Sequence, residues 1–135
     1  MIKPFIIVLG LGAVAFAAPV QADTILPEYE AQARAADPTF RGFSAERGQA
    51  FYLKDHATGK AETPSCTTCH MGNPTQAGRT RAGKTIAPMA LSQTPDRFQD
   101  VKKVEKWFRR NCKSVLGREC SAQEKGDFIT FMKTQ

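Results

Sequence analysis

Cys66-Thr67-Thr68-Cys69-His70 sets two thiols two residues apart with an imidazole directly behind them. Thiols at that spacing can each form a thioether with one of haem's two vinyl groups, which sit on neighbouring pyrrole rings. The histidine then stands under the iron as its proximal axial ligand. A CxxC pair alone also suits a redox dithiol or zinc. A thioredoxin-like dithiol needs a βαβ pattern around it, which is absent from the flanking sequence. Zinc held by Cys66, Cys69, Cys112 and Cys120 would have four thiols, but the second pair is spaced too widely for a usual knuckle. The CxxCH run therefore points to one covalently attached haem c, with Cys66, Cys69 and His70 as its protein partners.

The compartment agrees. Met1 and Lys3 form a short basic start, Phe5 to Ala18 an uncharged apolar run, and Val20-Gln21-Ala22 a small-residue cleavage pattern. This reads as a secretory signal peptide over residues 1–22, with the domain occupying 23–135. A retained membrane anchor needs about 20 apolar residues, more than this run supplies. Export predicts a periplasmic protein and permits disulfides. With Cys66 and Cys69 committed to haem, Cys112 and Cys120 pair by elimination, closing a loop of about nine residues worth on the order of 2.5 kcal/mol.

These residues must be carried by helices. The chain of 135 residues is 41% hydrophobic and 24% charged, a globular composition, and too short after processing for two domains. Pro27 suits a first helical turn, and Glu28 to Ala36 continue it until Asp37-Pro38 stops it. Phe40 and Phe43 should pin this segment to the body. Ser44 caps a second helix running to Tyr52, with Gly48 and Tyr52 on one face and Asp55 to Gly59 as the turn after it. Residues 71–100 are punctuated by Gly and Pro and carry no lasting apolar period, as expected where a prosthetic group orders the chain. Val101, Val104, Trp107, Phe108, Asn111 and Val115 recur at helical spacing. Ser121 and Glu124 make a capping box before a last helix with Phe128, Phe131 and Met132 on one face. No strand pattern is legible, and the fold class is mainly α.

The sixth position on the iron decides function. A strong permanent ligand makes an electron carrier, and a weak one makes a site for small molecules. Met89 could supply an ordinary low-spin ligand. Met71 is adjacent to His70 and cannot reach round the ring. Met132 reads as core and His56 as a solvated turn residue. Asn111 is the anomaly: an amide on the apolar face of its helix needs a partner, either backbone or iron. An amide oxygen is a hard, weak donor, acceptable to ferric iron and poorer for ferrous, so an Asn ligand should let go on reduction.

Gly83 to Pro88, Arg97-Phe98 and Val104 to Cys112 together resemble the sphaeroides haem protein family of exported class I-type cytochromes c. Within that last stretch the Trp107-Phe108-Arg109-Arg110-Asn111-Cys112 run is the most specific part. Gly42 to Gly48, Arg118 to Cys120 and Glu124 to Asp127 extend the likeness across nearly all of residues 28–133. The resemblance implies a class I cytochrome c-like fold in which the Ser44–Tyr52 helix crosses the last helix at Gly48 and Tyr52 against Phe128 and Phe131. It implies a high-spin haem with Asn111 as a sixth ligand released on reduction, so that ferrous iron takes oxygen, nitric oxide or carbon monoxide. It also implies a disulfide beside this Asn, and electron-transfer partners of two kinds, a dihaem c cytochrome and a membrane b-type cytochrome. Trp107 and Phe108 would shape the haem surroundings, and Arg79, Arg81 and Lys84 are available for its propionates.

Two other functions stay open from the residues. One is a plain electron carrier with His70 and Met89 ligating. The other is a haem enzyme reducing nitric oxide or oxygen, disfavoured because the chain shows no distal His or acid pair to deliver protons. Lys102, Lys103, Lys106, Arg109 and Arg110 form a basic helix face, solvated and able to steer an acidic redox partner. Nucleic acid is not an expected partner outside the cytoplasm, and an integral membrane protein is not expected.

Overall fold

The computed structural model describes residues 25–135. The expected leader at 1–22 and the domain start at residue 23 lie outside the described residues. Helix α1 (Leu26–Ala36) carries Pro27 in its first turn and ends on Asp37 in extended backbone, where the following Pro38 disfavours helical geometry. Helix α2 (Ala45–Leu53) is capped as its sequence predicts, the Ser44 hydroxyl accepting from Arg47 N at 3.2 Å. A single turn, α3 (Thr67–His70), holds the second thiol and the histidine. A two-stranded antiparallel ribbon follows, β1 (Gly78–Arg79) against β2 (Thr85–Ile86). This corrects the expectation of no strands: elements two residues long leave no alternation to read.

Helix α4 (Val101–Leu116) begins on Asp100, whose carboxylate accepts from Lys103 N at 3.0 Å, and ends on left-handed Gly117. Helix α5 (Ala122–Lys133) has both halves of its capping box: Ser121 Oγ accepts from Glu124 N at 3.1 Å, and the Glu124 carboxylate accepts from Ser121 N at 2.8 Å. Cys112 in α4 is disulfide-bonded to Cys120 across the junction, with Cα atoms 5.6 Å apart. That pairing removes the four-thiol zinc alternative, and no other cluster among the described residues could hold a metal through three or more His, Cys, Asp or Glu side chains.

The packing centre is the crossing of α2 and α5. A Cβ on Gly48 would collide with the Asp127 carbonyl and crowd Phe131, so only glycine permits this approach. One turn on, Tyr52 is fully buried, its ring 6.0 Å from Phe128 and 5.8 Å from Phe131. The buried carboxylate of Asp127 sits at the same crossing. It accepts from Arg47 Nε at 2.8 Å and Nη2 at 2.9 Å, and from Ser44 N at 2.7 Å. Each fully buried phenylalanine here contributes roughly 1.5–3 kcal/mol of apolar transfer. Helix α1 is tied on by Phe40 and Phe43, which pack edge to face at 5.2 Å. Tyr29 adds a second tie, donating to Glu105, whose carboxylate also takes Lys125 Nζ at 2.9 Å.

Residues 71–100 are ordered chiefly by backbone bonds. Met89 N and Ala90 N both donate to the Pro74 carbonyl, at 2.9 and 3.0 Å, and Leu91 N reaches the Met132 carbonyl at 3.1 Å. No helix among the described residues is long and apolar enough to cross a membrane.

The candidate haem site

Cys66 is the N-cap of α3, and Cys69 and His70 follow on that single turn, so the local helix gathers all three side chains. Both thiols are free. Burial pushes the Cys66 thiol up to about 11, keeping it a neutral sulfhydryl at neutral pH. His70 is pushed the other way, to about 4, first by burial and then by the positive charge of Arg97. Its imidazole is therefore neutral at pH 7, the form that ligates a metal. Its Nδ1 is buried with no hydrogen-bond partner, an unsatisfied polar atom of the kind folded proteins seldom leave.

Two contacts hold this turn from behind. Gly78 in β1 lies so close that a Cβ there would collide with the Cys69 carbonyl. From α2, the Tyr52 hydroxyl donates to the Met71 carbonyl at 2.6 Å and shares the same proton with the His70 carbonyl at 3.0 Å. Met71 ends the turn at φ 64°, ψ 163°. A side chain is strained there, at a cost of about 1–3 kcal/mol.

Helix α4 supplies the other wall. Its buried stripe is Val104, Phe108, Cys112, Val115 and Leu116. Asn111 is not on it. The expectation that Asn111 lies on the apolar face is corrected: it is exposed, one turn beyond Trp107, on the flank of the stripe. The spacing alone could not separate the two, because Asn111 lies between Trp107 and Val115 on a helix whose apolar positions span a wide arc. Nor does its amide bond to backbone; the exposed side chain of Asn111 makes no hydrogen bond to protein among the described residues. Asn111 and Trp107 instead line a cleft of about 570 Å³ together with Lys60, Arg110 and Ser114. The thiols and His70 do not line this cleft. They are joined to it by residues 60–65, since Lys60 N donates to the Ser114 carbonyl at 2.7 Å and Thr63 Oγ1 lies 2.8 Å from the Ser114 hydroxyl.

The remaining candidates separate. Trp107 is 45% exposed on the cleft, with Arg110 5.2 Å from its ring. Phe108 is in the protein core, edge-on to Tyr29 and Phe128, and does not line the cleft. Met89 and Met132 are buried among apolar side chains, while Met71 is exposed. His56 is not the solvated residue expected. Its Nε2 is 2.9 Å from the Phe51 carbonyl and its ring packs edge-on against Phe51, because His56 N bonds back to the Pro64 carbonyl.

Among the cations, Arg79 meets the Gly83 carbonyl at 3.4 Å, Arg81 pairs loosely with exposed Glu62, and Lys84 is exposed. Sequence reasoning about site residues passed over Arg97. This guanidinium is half-buried and bonds the carbonyls of Pro88, at 2.8 Å, and Ala87, with no carboxylate in an ion pair with it among the described residues. Its signal was its place beside Phe98, a buried residue, in one of the runs that carry the family resemblance.

Free paired thiols, an unpartnered buried imidazole nitrogen, a partnerless amide and a half-buried cation lacking a counter-ion are a donor set that fits haem. Comparison with known proteins agrees. A family model described as "Domain of unknown function (DUF1924)" matches residues 38–132. The chain is 55% identical over 91 residues to cytochrome c-type protein SHP of Cereibacter sphaeroides, covering 67% of this chain and 70% of that protein. It is 33% identical over 137 residues to cytochrome c'' of Methylophilus methylotrophus, covering 99% of this chain and 95% of that one. Among solved structures, oxidised SHP, described as an oxygen-binding cytochrome c, superposes with a TM-score of 0.78 at 47% identity over 85% of this chain and 97% of that chain. Oxidised cytochrome c'' follows with a TM-score of 0.71 at 31% identity over 84% of this chain and 94% of that one. The mainly helical, class I-like fold and these likenesses together make the chain a member of the SHP family of haem-carrying cytochromes c.

Proposed function

We propose that this protein is a periplasmic electron-transfer cytochrome whose single haem c opens a coordination position when reduced. Haem supplies a one-electron couple and, where its sixth position is free, a seat for a diatomic molecule. Cys66 and Cys69 hold the porphyrin through thioethers, and His70 presents neutral imidazole to the iron. Arg97, with two carbonyls and no carboxylate, is suited to a haem propionate. Residues 1–22 direct export, and residues 23–135 form the haem domain.

Asn111 is the distal ligand of the oxidised form. The observation that carries this is its amide: exposed on the cleft, beside Trp107, and without a hydrogen bond. Its oxygen is a hard donor suited to ferric iron, and it lets go as the metal becomes ferrous and softer. Oxygen, nitric oxide or carbon monoxide then has access. That SHP is an oxygen-binding cytochrome c supports the reading. So does the concern with haem-ligand detachment in the solution structure of cytochrome c''. Electrons come from a dihaem c cytochrome or a membrane b-type cytochrome, steered by the basic face of α4. The protein acts as a carrier and gas-binding protein rather than as an enzyme.

The test is the absorption spectrum of the anaerobic, dithionite-reduced protein before and after carbon monoxide. A high-spin ferrous spectrum that shifts with carbon monoxide is expected. Asn111→Ala should lose the distal ligand already in the ferric form and still bind carbon monoxide when reduced. A low-spin ferrous spectrum indifferent to the gas sinks the proposal and returns the sixth position to Met89.

A further inference from the structure

Tyr52 has no place in the donor set, yet it touches the backbone of the residue that has the most demanding position in it. Its ring is fixed by the α2–α5 crossing, between Phe128 and Phe131 and one turn from Gly48. A phenylalanine would pack there equally well. What the hydroxyl adds is the pair of bonds to the Met71 and His70 carbonyls, at 2.6 and 3.0 Å. These carbonyls flank the one place in the site where a residue with a side chain sits in backbone territory suited to glycine, Met71 at φ 64°. Such a conformation persists only when its surroundings over-determine it. Among the described residues the hydrogen bonds to those two carbonyls come from Tyr52 alone.

We infer that Tyr52 is a positioning residue for the proximal ligand: its hydroxyl holds the strained His70–Met71 backbone and so sets the distance and tilt of the His70 imidazole toward the iron. The inference rests on His70 being the axial ligand. It makes the helix crossing a rigid mount for the metal, because a buried ring that cannot move transmits its position through one hydroxyl. Loss of that hydroxyl lets Met71 relax out of its conformation, and the preceding residue moves with it. With His70 on the iron, that movement would weaken the iron–imidazole bond and change the preference between ferric and ferrous states.

The experiment is resonance Raman spectroscopy of the reduced holoprotein, reading the iron–histidine stretching band, with the midpoint potential measured on the same samples. Tyr52→Phe should move the band to lower frequency and shift the potential. Met71→Gly alone should leave both near their starting values, since glycine is unstrained there. Tyr52→Phe combined with Met71→Gly should bring both back, because no strain remains for the hydroxyl to restrain. The inference is overturned by a Tyr52→Phe protein that loses thermal stability while band and potential stay put. It is equally overturned by a shift that Met71→Gly fails to restore. For a Tyr52→Phe protein that does not take up haem, a ring-fluorinated tyrosine at the same position keeps the phenol and strengthens its donation. The band should then move to higher frequency, and an unmoved band counts against the clamp. A reduced unsubstituted protein that shows no iron–histidine vibration, with or without an added gas, fails the ligation reading itself, and that outcome is distinct from an unmoved band.

Discussion

The α2–α5 crossing and the segment around His70 follow opposite rules. At the crossing every buried polar side chain is answered by protein: Asp127 takes two bonds from Arg47 and one from Ser44, and the Asp127 backbone and Phe131 Cβ close on Gly48. Around His70 the groups that chemistry needs are left unanswered: two free thiols and a buried Nδ1 without partner. Leaving a buried polar atom unpaired costs about 1–3 kcal/mol. The crossing supplies the packing that tolerates such a cost. The contrast teaches that unsatisfied polar atoms mark the site more sharply than the cleft does, since the thiols and His70 do not line it.

The comparison breaks most completely if the thiols prove dispensable. Cys66→Ser with Cys69→Ser should abolish covalent haem, read as loss of haem-linked peroxidase staining on a denaturing gel. Retained staining would mean that the open segment is not the attachment site. Next in size is the closed region. Gly48→Val should cost about 3 kcal/mol through overpacking against the Asp127 backbone, read as a lowered midpoint of thermal unfolding of the holoprotein. A change of a few tenths would show that the crossing is looser than its geometry.

The smallest effect tests the tie between α1 and the body. Burial pushes the Glu105 carboxyl up, but the bonds from Tyr29 and Lys125 outweigh it and hold it below the usual carboxylate range. A carboxyl depressed on folding stabilises the protein above its unfolded value. That stability is lost as pH falls through the folded one. Glu105→Gln should therefore cost about 1 kcal/mol at pH 7, a modest figure because this pair is partly in water, and progressively less as pH falls below the usual carboxylate range. Unfolding midpoints across that range check it; a pH-independent difference would reject the ion pair as its source.

Much of this was legible in the sequence because it depends on neighbours along the chain. Caps at Ser44 and Ser121 work through backbone groups three residues on, and both are formed as expected. Gly48 and Tyr52 were legible as one helix face open to close approach, while the partner helix at that face came from the family resemblance, and the structure has both. The Cys112–Cys120 pairing followed from the count of thiols. What failed is instructive. Asn111 was read onto the apolar stripe, yet the register of α4 is decided by which stripe meets α5, and that puts Phe108 inward with Trp107 and Asn111 on the flank. His56 looked solvated because nothing in its own segment shows the bond from its backbone to Pro64.

By itself, then, the sequence determined what acts between residues close in the chain: the gathering of the CxxCH side chains on one turn, the thiol pairing and the helix ends. Only the tertiary structure decided which side chains are left without partners. That property belongs to a side chain's whole surroundings, and those come from segments far away in sequence. Tyr52 reaches His70 across 18 residues, Arg47 finds Asp127 across 80, and Asn111 is turned to the surface.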